Sequence, residues 1–484
     1  MSEPKRLHPI AAVSNAMKTL KEAIIPFIAL FVFGSNDSSK WQNIELIIIF
    51  VSVVFILLYG WLSWLRFTYV LKDGEIIIEQ GVFVRNKRYI RFERVQSIAV
   101  SEGVLQRLFG LVKVKIETAG SSGMLAEGVL TAISKEEADR ISTSFSEIKN
   151  KNKNQAEIVT EHHEMEDVTL KTPTVFQMKF KELLLMAATS GGVGVVFSGA
   201  MAFLAQFEEL IPYEKVFSRF EKFISSGVGV VAAAIFLGLV LAYVVATAGI
   251  VIKYAYFTVK KIEDELVITR GLLDRRKITI PLDKIQAIRI VENIIRQPLG
   301  YATVYIENAG GSVMDAEVSK VMLFPLIKKK ELENLIPVFV PDYTANVSIT
   351  SVPKRAFSRY LFRQWFVWLP VSVAVSAIFF PWGLMSLLLL PLSGIWAYLS
   401  YQSAGWNLTE DQLSLRYRII SKQTFIAKKR KIQSMDTKYS WFQNRKDLGT
   451  LSVFIKLGIG PGLGRVYDLE KSDIEQVKQW YLNG

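Results

Sequence analysis

Long apolar runs alternate along the chain with polar stretches of about eighty residues. An apolar run near or above 18 residues predicts a transmembrane helix, because a helix needs about 20 residues to cross roughly 30 Å of hydrocarbon. Six segments are predicted, arranged as three pairs with Pro381 at the last reversal: Ile24–Phe33 (extending from Leu20 to Gly34), Ile44–Leu65, Leu183–Ala205, Val228–Ile252, Trp365–Phe380 and Trp382–Ser400.

Each polar stretch has the pattern of short strands followed by a helix. In the first stretch the predicted strands, with turns at Asp73-Gly74 and Gly81, are Phe67–Leu71, Glu75–Gln80, Val82–Tyr89, Val95–Val100 and Leu111–Thr118. Ser134 and Glu137 then form a helix-capping pattern, repeated by Ser472 and Glu475. Counterpart helices are predicted at Lys328–Leu335 and Ser472–Leu482. The expected domain is a small β-barrel or sandwich of five or more strands, closed by a C-terminal helix.

The strand-rich stretch occurs three times. A shift of 190 residues relates Gly81 to Gly271, Gln96 to Gln286 and Gly110 to Gly300. A third copy has Gln433 and is aligned at Gly449 by allowing two extra residues, which places Lys456 at the position of Glu117 and Glu307. In this alignment Arg418 stands where the earlier copies have glycine. The repeating unit is therefore a pair of apolar segments plus one strand-rich domain.

The predicted boundaries follow from these units and from two polar linkers. They are residues 1–66 (first helix pair), 67–148 (domain 1), 149–170 (linker), 171–254 (second pair), 255–337 (domain 2), 338–352 (linker), 353–404 (third pair) and 405–484 (domain 3).

Charge predicts the orientation in the membrane. The chain carries a net charge of +13, yet the three loops inside the helix pairs contain only Lys40, Lys215, Arg219 and Lys222 of its 58 basic residues. Because positive charge is retained on the cytoplasmic side, both termini and all three polar domains are expected in the cytoplasm of a multi-pass cell-membrane protein.

Composition excludes several kinds of functional site. The chain has no cysteine, which excludes disulfides, thiolate metal sites and cysteine nucleophiles, and it has three histidines. His162-His163 lies in a linker without further ligands, so no metal or other cofactor is expected. No phosphate-binding loop, serine-hydrolase or zinc-protease pattern occurs. The cores of the six apolar segments lack Asp, Glu, Lys and Arg, which argues against an ion-coupled transporter.

Basic residues cluster at one place in every repeat, and we expect attraction to an anionic membrane surface there, at about 1 kcal/mol per Lys or Arg. An ordinary basic surface beside a membrane is the alternative interpretation. The residues are Arg85, Lys87, Arg88, Arg91, Arg94, Arg275, Arg276, Lys277, Lys284, Lys428, Lys429, Arg430 and Lys431.

Other recurring residues have structural interpretations. Gln96, Gln286 and Gln433 are predicted to fix a turn or bulge, and Gly110, Gly300 and Gly449 to occupy special backbone conformations. Two pairs of carboxylates could suggest acid–base catalysis, but no histidine accompanies them, so solvated or salt-bridged positions are expected. These are Glu117, Glu307, Glu127 and Glu317.

Paired apolar segments, each pair followed by a strand-rich domain with an Arg/Lys-Val/Ile-Gln-Ser/Ala-Ile/Met core and a downstream glycine, resemble the bacterial pleckstrin-homology-like (PH-like, bPH2-type) membrane proteins. The threefold unit, with Arg6-Leu7-His8-Pro9 near the start, resembles the YdbT-like three-repeat type. The fold implied is a multi-pass α-helical membrane protein, with six transmembrane helices as three hairpins and three small PH-like β-barrel or sandwich domains.

The resemblance implies a non-enzymatic membrane protein that acts in cell-envelope stress or antimicrobial-peptide resistance. It implies membrane lipids and a smaller, single-domain PH-like membrane protein as partners, and no nucleic acid. Two alternatives from other classes remain open. One is a lipid or peptide transporter or exporter subunit that uses the Gly-rich segments 3 and 4; the other is an enzyme acting on lipid through Glu117 and Glu307.

Overall fold

The computed structural model describes residues 4–34, 39–72, 74–118, 128–157, 174–190, 228–310, 319–345, 348–458 and 460–483. Each repeat begins with a short strand before its helix pair, and this strand returns to pair within the domain that follows. The repeating unit is therefore one strand longer than the sequence pattern suggests.

The first repeat has the following bounds: β1 Lys5–Arg6, α1 Ile10–Gly34, α2 Ser39–Leu65, β2 Thr68–Lys72, β3 Glu75–Gln80, β4 Asn86–Arg91, β5 Val95–Glu102, α3 Val104–Leu108, β6 Leu111–Thr118, β7 Gly128–Ser134 and α4 Lys135–Glu157.

The second repeat comprises β8 Thr174–Gln177, α5 Phe180–Ala188, α6 Val228–Tyr254, β9 Thr258–Ile262, β10 Glu265–Arg270, β11 Arg275–Pro281, β12 Ile285–Glu292, β13 Tyr301–Asn308, β14 Lys320–Lys328 and α7 Lys329–Phe339.

The third repeat comprises β15 Thr350–Ser351, α8 Phe357–Ile378, α9 Leu389–Ser403, β16 Gly405–Leu408, β17 Gln412–Arg418, β18 Lys422–Lys428, β19 Ile432–Lys438, α10 Trp441–Asn444, β20 Leu448–Leu457, β21 Gly460–Glu470 and α11 Lys471–Leu482.

The sheets continue from one domain into the next. One seven-stranded sheet has the order β7-β6-β5-β11-β10-β9-β8 and joins domain 1 to domain 2. A second has the order β14-β13-β12-β18-β17-β16-β15 and joins domain 2 to domain 3. The ends of the row are a four-stranded sheet, β1-β2-β3-β4, and a three-stranded sheet, β19-β20-β21. Each domain therefore contributes strands to two sheets, and neighbouring domains are hydrogen-bonded by their backbones.

Each domain nevertheless has its own apolar core. Along β6, Val112, Val114 and Ile116 alternate toward the interior and are at most 1% exposed, as expected for a strand with one buried face. Both sheets of a domain contribute to the same core, and helix α4, α7 or α11 covers it: Ile141, Ile336 and Ile474 are fully buried.

Four helices of the described chain are long and apolar enough to cross a membrane: Ile47–Leu65, Phe236–Tyr254, Lys354–Ile378 and Trp382–Ser403. They correspond to the second, fourth, fifth and sixth predicted segments. The first predicted segment lies within α1, which contains Pro26. Of the third, only the part in and just after α5 belongs to the described residues.

Two expectations at helix ends need correction. Helix α4 continues to Glu157, through the Lys/Asn-rich tract that was expected to begin a linker. The backbone N–H of Glu137 donates to the Ser134 hydroxyl (3.2 Å) as expected. In the third repeat, by contrast, the helix begins at Lys471 with Glu470 as the cap residue, so Ser472 does not cap it.

The third repeat also needs a corrected alignment. A constant shift of 147 residues relates Gln286 to Gln433 and Gly300 to Asp447, with no extra residues. Asp447 has a φ of +51°, beside +66° at Gly110 and +72° at Gly300, and each directly precedes an equivalent strand. Gly449 is therefore not the counterpart, because aspartate fills the left-handed position.

The same shift corrects the position of the third carboxylate. Ser97 lies opposite Glu117 and Ala287 opposite Glu307, whereas Ser434 lies opposite Phe454. The residue that replaces the glutamate in the third domain is thus Phe454 and not Lys456.

Candidate membrane-facing surface

The hairpin between the third and fourth strands of a domain lies next to a membrane helix in the second and third repeats. In the second repeat the N–H of Leu272 donates to Ile252 O (2.9 Å) within α6, and the N–H of Gly271 donates to Ala255 O (2.8 Å). Because α6 contains a candidate membrane span, this hairpin tip lies at the membrane end of its domain.

The short helical turn after the fifth strand lies at the same end. In domain 1, Gln106 donates to the Ser14 hydroxyl of α1 (3.2 Å). In domain 2, Arg296 donates to Met186 O of α5 (2.8 Å). In domain 3, Arg359 of α8 donates to Phe442 O (2.6 Å). The turn therefore contacts a helix of its own repeat in all three domains.

Apolar side chains are exposed at two equivalent positions of every repeat. At the hairpin tip and in the short turn these side chains are 44–87% exposed. Exposed apolar patches on a protein surface commonly mark a contact with a membrane or another protein. We call these six residues the apolar tips: Phe83, Leu273 and Ile420 in the hairpins, and Val104, Ile294 and Trp441 in the turns.

The sequence prediction missed the apolar tips. The run Val82–Tyr89 has the residue types of a strand and was expected to form one, but the structure begins β4 at Asn86 and places Phe83 and Val84 in the turn. The available signal was an apolar residue at the same turn position in three repeats.

The thirteen predicted lipid-contact residues divide between the two ends of one strand. Arg85, Lys87, Arg275, Arg276 and Lys277 lie near the hairpin tips, and Arg88 lies midway along β4. The others lie at the far end, in or beside a one-turn 3-10 helix: Arg91, Arg94, Lys284, Lys428, Lys429, Arg430 and Lys431.

At the far end several of these cations bind carboxylates or carbonyls of neighbouring segments. Lys428 lies 3.1 Å from Asp411 and 3.3 Å from Asp342, which also pairs with Arg430 (2.7 Å). Lys431 donates to Asp283 O of domain 2 (2.6 Å). Burial, together with the nearby Arg430, lowers the pKa of Lys431. This group therefore connects domains 2 and 3, away from the membrane end.

At the membrane end the basic residues line a cleft of 510 Å³ between domains 1 and 2. Five cationic side chains and two carboxylates contribute to its wall: Lys135, Arg270, Arg275, Arg276, Lys277, Glu102 and Asp139. Lys135 pairs with Glu102 (3.0 Å) and Arg276 with Asp274 (3.1 Å). The excess of positive charge makes this cleft suited to an anionic group. On domain 1, the hydrogen bond to Glu79 raises the pKa of Lys87.

The recurring glutamines each occupy an irregularity of the sheet. The register shifts between Val95 and Ser97, and it does so at the same place in the other two domains. Gln96, Gln286 and Gln433 are the extra residues of these bulges. Gln286 also donates to Lys284 O (2.9 Å) at the end of the one-turn helix.

Glu307 belongs to a buried network between domains 2 and 3. Arg289 donates to both carboxylate oxygens of Glu307, to the Tyr417 hydroxyl and to Gln423 (3.0 Å). Burial alone would lower the pKa of Arg289, but Glu307 and Tyr417 outweigh it and the pKa is raised. The salt-bridged interpretation of Glu307 is therefore correct.

Glu117 is also buried, against Gly310 of domain 2. Glu127, Glu317 and His162-His163 lie outside the described residues. No group of three potential metal ligands occurs among the residues that are described.

Comparison with known proteins agrees with the repeat. Residues 23–149, 203–337 and 362–484 each match the family described as "Bacterial PH domain". UPF0699 transmembrane protein YdbT of Bacillus subtilis (strain 168) is 38% identical over 490 residues, covering 99% of this chain and 98% of that protein. UPF0699 transmembrane protein YdbS of the same organism is 34% identical over 80 residues, covering 16% of this chain and 47% of that protein. The chain belongs to the Bacterial PH domain family and is a three-repeat membrane protein of the YdbT-like type.

Proposed function

We propose that this protein is a non-enzymatic scaffold of the cytoplasmic membrane. Its three PH-like domains would lie against the inner leaflet, and the row they form would be one component of a complex that protects the cell envelope against membrane-active peptides. The membrane character and the PH-like repeats are established by the family; the scaffold role, the orientation and the protective role are the proposal.

One observation carries the scaffold role. The apolar tips recur in all three domains, the turns that carry three of them contact a helix of their own repeat, and basic residues lie next to the hairpin tips. Burying one such side chain contributes about 1.5–3 kcal/mol, and each neighbouring Lys or Arg about 1 kcal/mol near an anionic leaflet. Three equivalent contacts would hold the row of domains parallel to the bilayer.

The natural lack of cysteine allows a direct test of this contact. Ile420→Cys and Glu410→Cys place a fluorescent label beyond opposite ends of β17, at the membrane end and at the far end. In full-length protein reconstituted into phosphatidylglycerol/phosphatidylcholine vesicles, nitroxide lipids should quench the label at 420 and leave the label at 410 unchanged. Equal, weak quenching at both positions would refute the membrane contact.

Orientation is tested with the same two variants in intact cells. A membrane-impermeant maleimide added outside should leave both cysteines unmodified until the cells are opened. Modification of either residue in intact cells would place domain 3 outside and refute the cytoplasmic scaffold.

The protective role rests on the family resemblance. A strain lacking the gene should become more sensitive to at least one member of a panel of membrane-active peptides, and the full-length gene should restore resistance. Unchanged sensitivity across the panel would remove this part of the proposal and leave the scaffold role intact.

A smaller relative is proposed as a partner because a shorter UPF0699 protein shares sequence with this chain. Purification of the tagged full-length protein from native membranes should recover such a relative and anionic lipid. Recovery of the chain without either would refute both partners.

A further inference from the structure

The two junctions between domains are built in the same way. At the first, β5 pairs antiparallel with β11, with Glu102 opposite Arg275. At the second, β12 pairs antiparallel with β18, with Glu292 opposite Lys422, and these two side chains form a salt bridge (3.1 Å). The residue shifts that relate the repeats place these two pairs at equivalent positions. The fifth strand of each domain therefore pairs with the fourth strand of the next domain in one fixed register.

This pattern leaves one strand of each kind at the ends of the row. Within the described part of the chain, β4 pairs only with β3, and β19 only with β20. Their burial differs from that of their paired equivalents. Ser434 of β19 is exposed, whereas its equivalents Ser97 and Ala287 are fully buried. On β4, Tyr89 is 60% exposed, whereas its equivalent Thr279 is buried.

We infer that β19 of one molecule pairs with β4 of a second copy, so that the chains associate head to tail through the same junction that joins their own domains. In the described residues each molecule offers one edge of each kind, which is the requirement for a heterologous contact between identical chains. An unpaired edge presents a row of backbone N–H and C=O groups that can extend a sheet.

The register follows from the inner junctions and brings complementary side chains together. It places Asp436 opposite Arg88 and Met435 opposite Tyr89, with Tyr439 beside Arg85. Opposite charges directly across an antiparallel pair are stabilising. The inner junctions have Ala99 opposite Ile278 and Arg289 opposite Phe425 at the position that Asp436 and Arg88 would occupy. Each junction therefore has its own matched pair.

The inferred register is also compatible with the membrane. Strand β4 starts at the membrane-facing hairpin tip, and β19 ends just before the membrane-facing turn that begins at Trp441. An antiparallel pairing of the two therefore brings the membrane ends of both domains to the same side, as at the inner junctions. The helix pairs of the second copy then lie in the same bilayer.

Charged residues on an edge strand can instead prevent association, and Lys87, Arg88 and Arg91 would suit that purpose. The opposite edge distinguishes the two interpretations. A purely protective β4 requires no acidic residue at the matching position of β19, yet Asp436 occurs there. Asp436 also pairs with Lys438 of its own strand (3.2 Å), but its side chain stays 39% exposed and open to a partner across the edge.

The first test is disulfide trapping in native membranes. Two differently tagged full-length chains, one with Arg88→Cys and one with Asp436→Cys, are co-expressed and oxidised. Residues directly opposite in an antiparallel pair have Cα atoms about 4.5–5.5 Å apart, within disulfide range. We expect a mixed dimer from this combination and little from Arg88→Cys with Thr437→Cys, because Thr437 faces the other side of the sheet.

The second test exchanges the charges and is insensitive to simple misfolding. Arg88→Asp alone or Asp436→Arg alone places like charges at every self-junction, and we expect about tenfold weaker association of each variant with itself. A mixture of the two variants restores opposite charges at both junctions, and association should return to that of the natural chain. Mass photometry in detergent measures all three.

Three results would overturn the inference. Monomers at every concentration together with no mixed disulfide would overturn the inference, as would equal trapping by Arg88→Cys with Thr437→Cys. Trapping of Arg88→Cys only by a smaller relative, with none by a second copy, would overturn it as well. None of these results bears on whether the apolar tips enter the membrane, so this inference and the scaffold proposal fail separately.

Discussion

The buried ion pair between Arg289 and Glu307 gives the sharpest prediction about how domains 2 and 3 are held together. Glu307→Gln keeps the shape of the side chain and removes its charge, which leaves the buried guanidinium without its carboxylate. Loss of one partner of a buried pair costs about 3–5 kcal/mol, because the remaining charge stays desolvated. Arg289 also reaches across the junction to Tyr417 and Gln423, so the loss should open the contact between β12 and β18.

Hydrogen exchange followed by mass spectrometry measures this opening in the full-length protein. A cost of 3–5 kcal/mol corresponds to about 10²- to 4 × 10³-fold faster exchange of the β18 amides, at 1.4 kcal/mol per factor of ten. Exchange is preferable to a global melting curve, since a chain of several domains does not unfold in two states.

Two controls separate the ion pair from general damage. The double variant Arg289→Met/Glu307→Leu replaces both charges with apolar groups, and its exchange should return to within about tenfold of the natural chain. The first junction has Ala99 at the position of Arg289, so the β11 amides should not respond to Glu307→Gln. The reasoning is refuted if the single and double variants exchange equally fast, or if β11 changes as much as β18.

Three further changes test the backbone and one helix contact. Gly271→Ala should speed amide exchange of the adjoining strands β10 and β11 more than Gly110→Ala speeds exchange of β6, because the Cβ at position 271 would lie 2.0 Å from Asp274 O whereas nothing lies within 4 Å at Gly110; equal changes would contradict this. Asp447→Gly should leave amide exchange of β20 unchanged or slow it, since glycine adopts the positive φ without strain; clearly faster exchange would show that the carboxylate matters more. Asp468→Asn should speed amide exchange at the start of α8, because Arg359 (3.2 Å) and Arg363 (2.7 Å) lose a buried carboxylate at about 1.5–3 kcal/mol; unaltered exchange would show that packing alone holds the helix.

The sequence predicted the local elements well where the periodicity was strong. The bounds of β3 and β6 were predicted to the residue, and the second, fourth, fifth and sixth apolar segments correspond to helices that could span a membrane. The short strand β7 was missed. It follows a Gly- and Ser-rich stretch, and its sequence from Gly128 to Ser134 has little of the alternation that identifies a half-buried strand.

Two errors have a common origin in residues that can serve two purposes. Gly449 was predicted at the left-handed position that Asp447 occupies, because glycine is the usual residue at a positive φ although aspartate tolerates it. Phe83 and Val84 were predicted in a strand because aromatic and β-branched residues favour strands, yet both lie in a turn. In each case the deciding factor was the surroundings of the residue, which a single sequence does not contain.

The pairing of strands between domains could not be predicted from the sequence, for a different reason. Strand β5 has the same half-buried appearance whether its neighbour is in its own domain or the next, and β11 follows about 175 residues later. The matched pairs become visible only once the register is known: Glu292 with Lys422, and Arg289 over the ring of Phe425 (4.9 Å).

These pairs also explain how three copies of one unit assemble in a single order. If β12 paired with β11, Arg289 would lie opposite Ile278 and would lose Tyr417 and Gln423, which the third domain supplies. The hydrogen bond to Leu463 O (3.1 Å) would also be lost. A buried cation that loses three of its hydrogen bonds is costly, so the wrong neighbour is rejected by an unpaired group as much as the right one is favoured. Repeats that share a backbone register can therefore diverge at one facing position per junction and still keep every domain beside its proper neighbour.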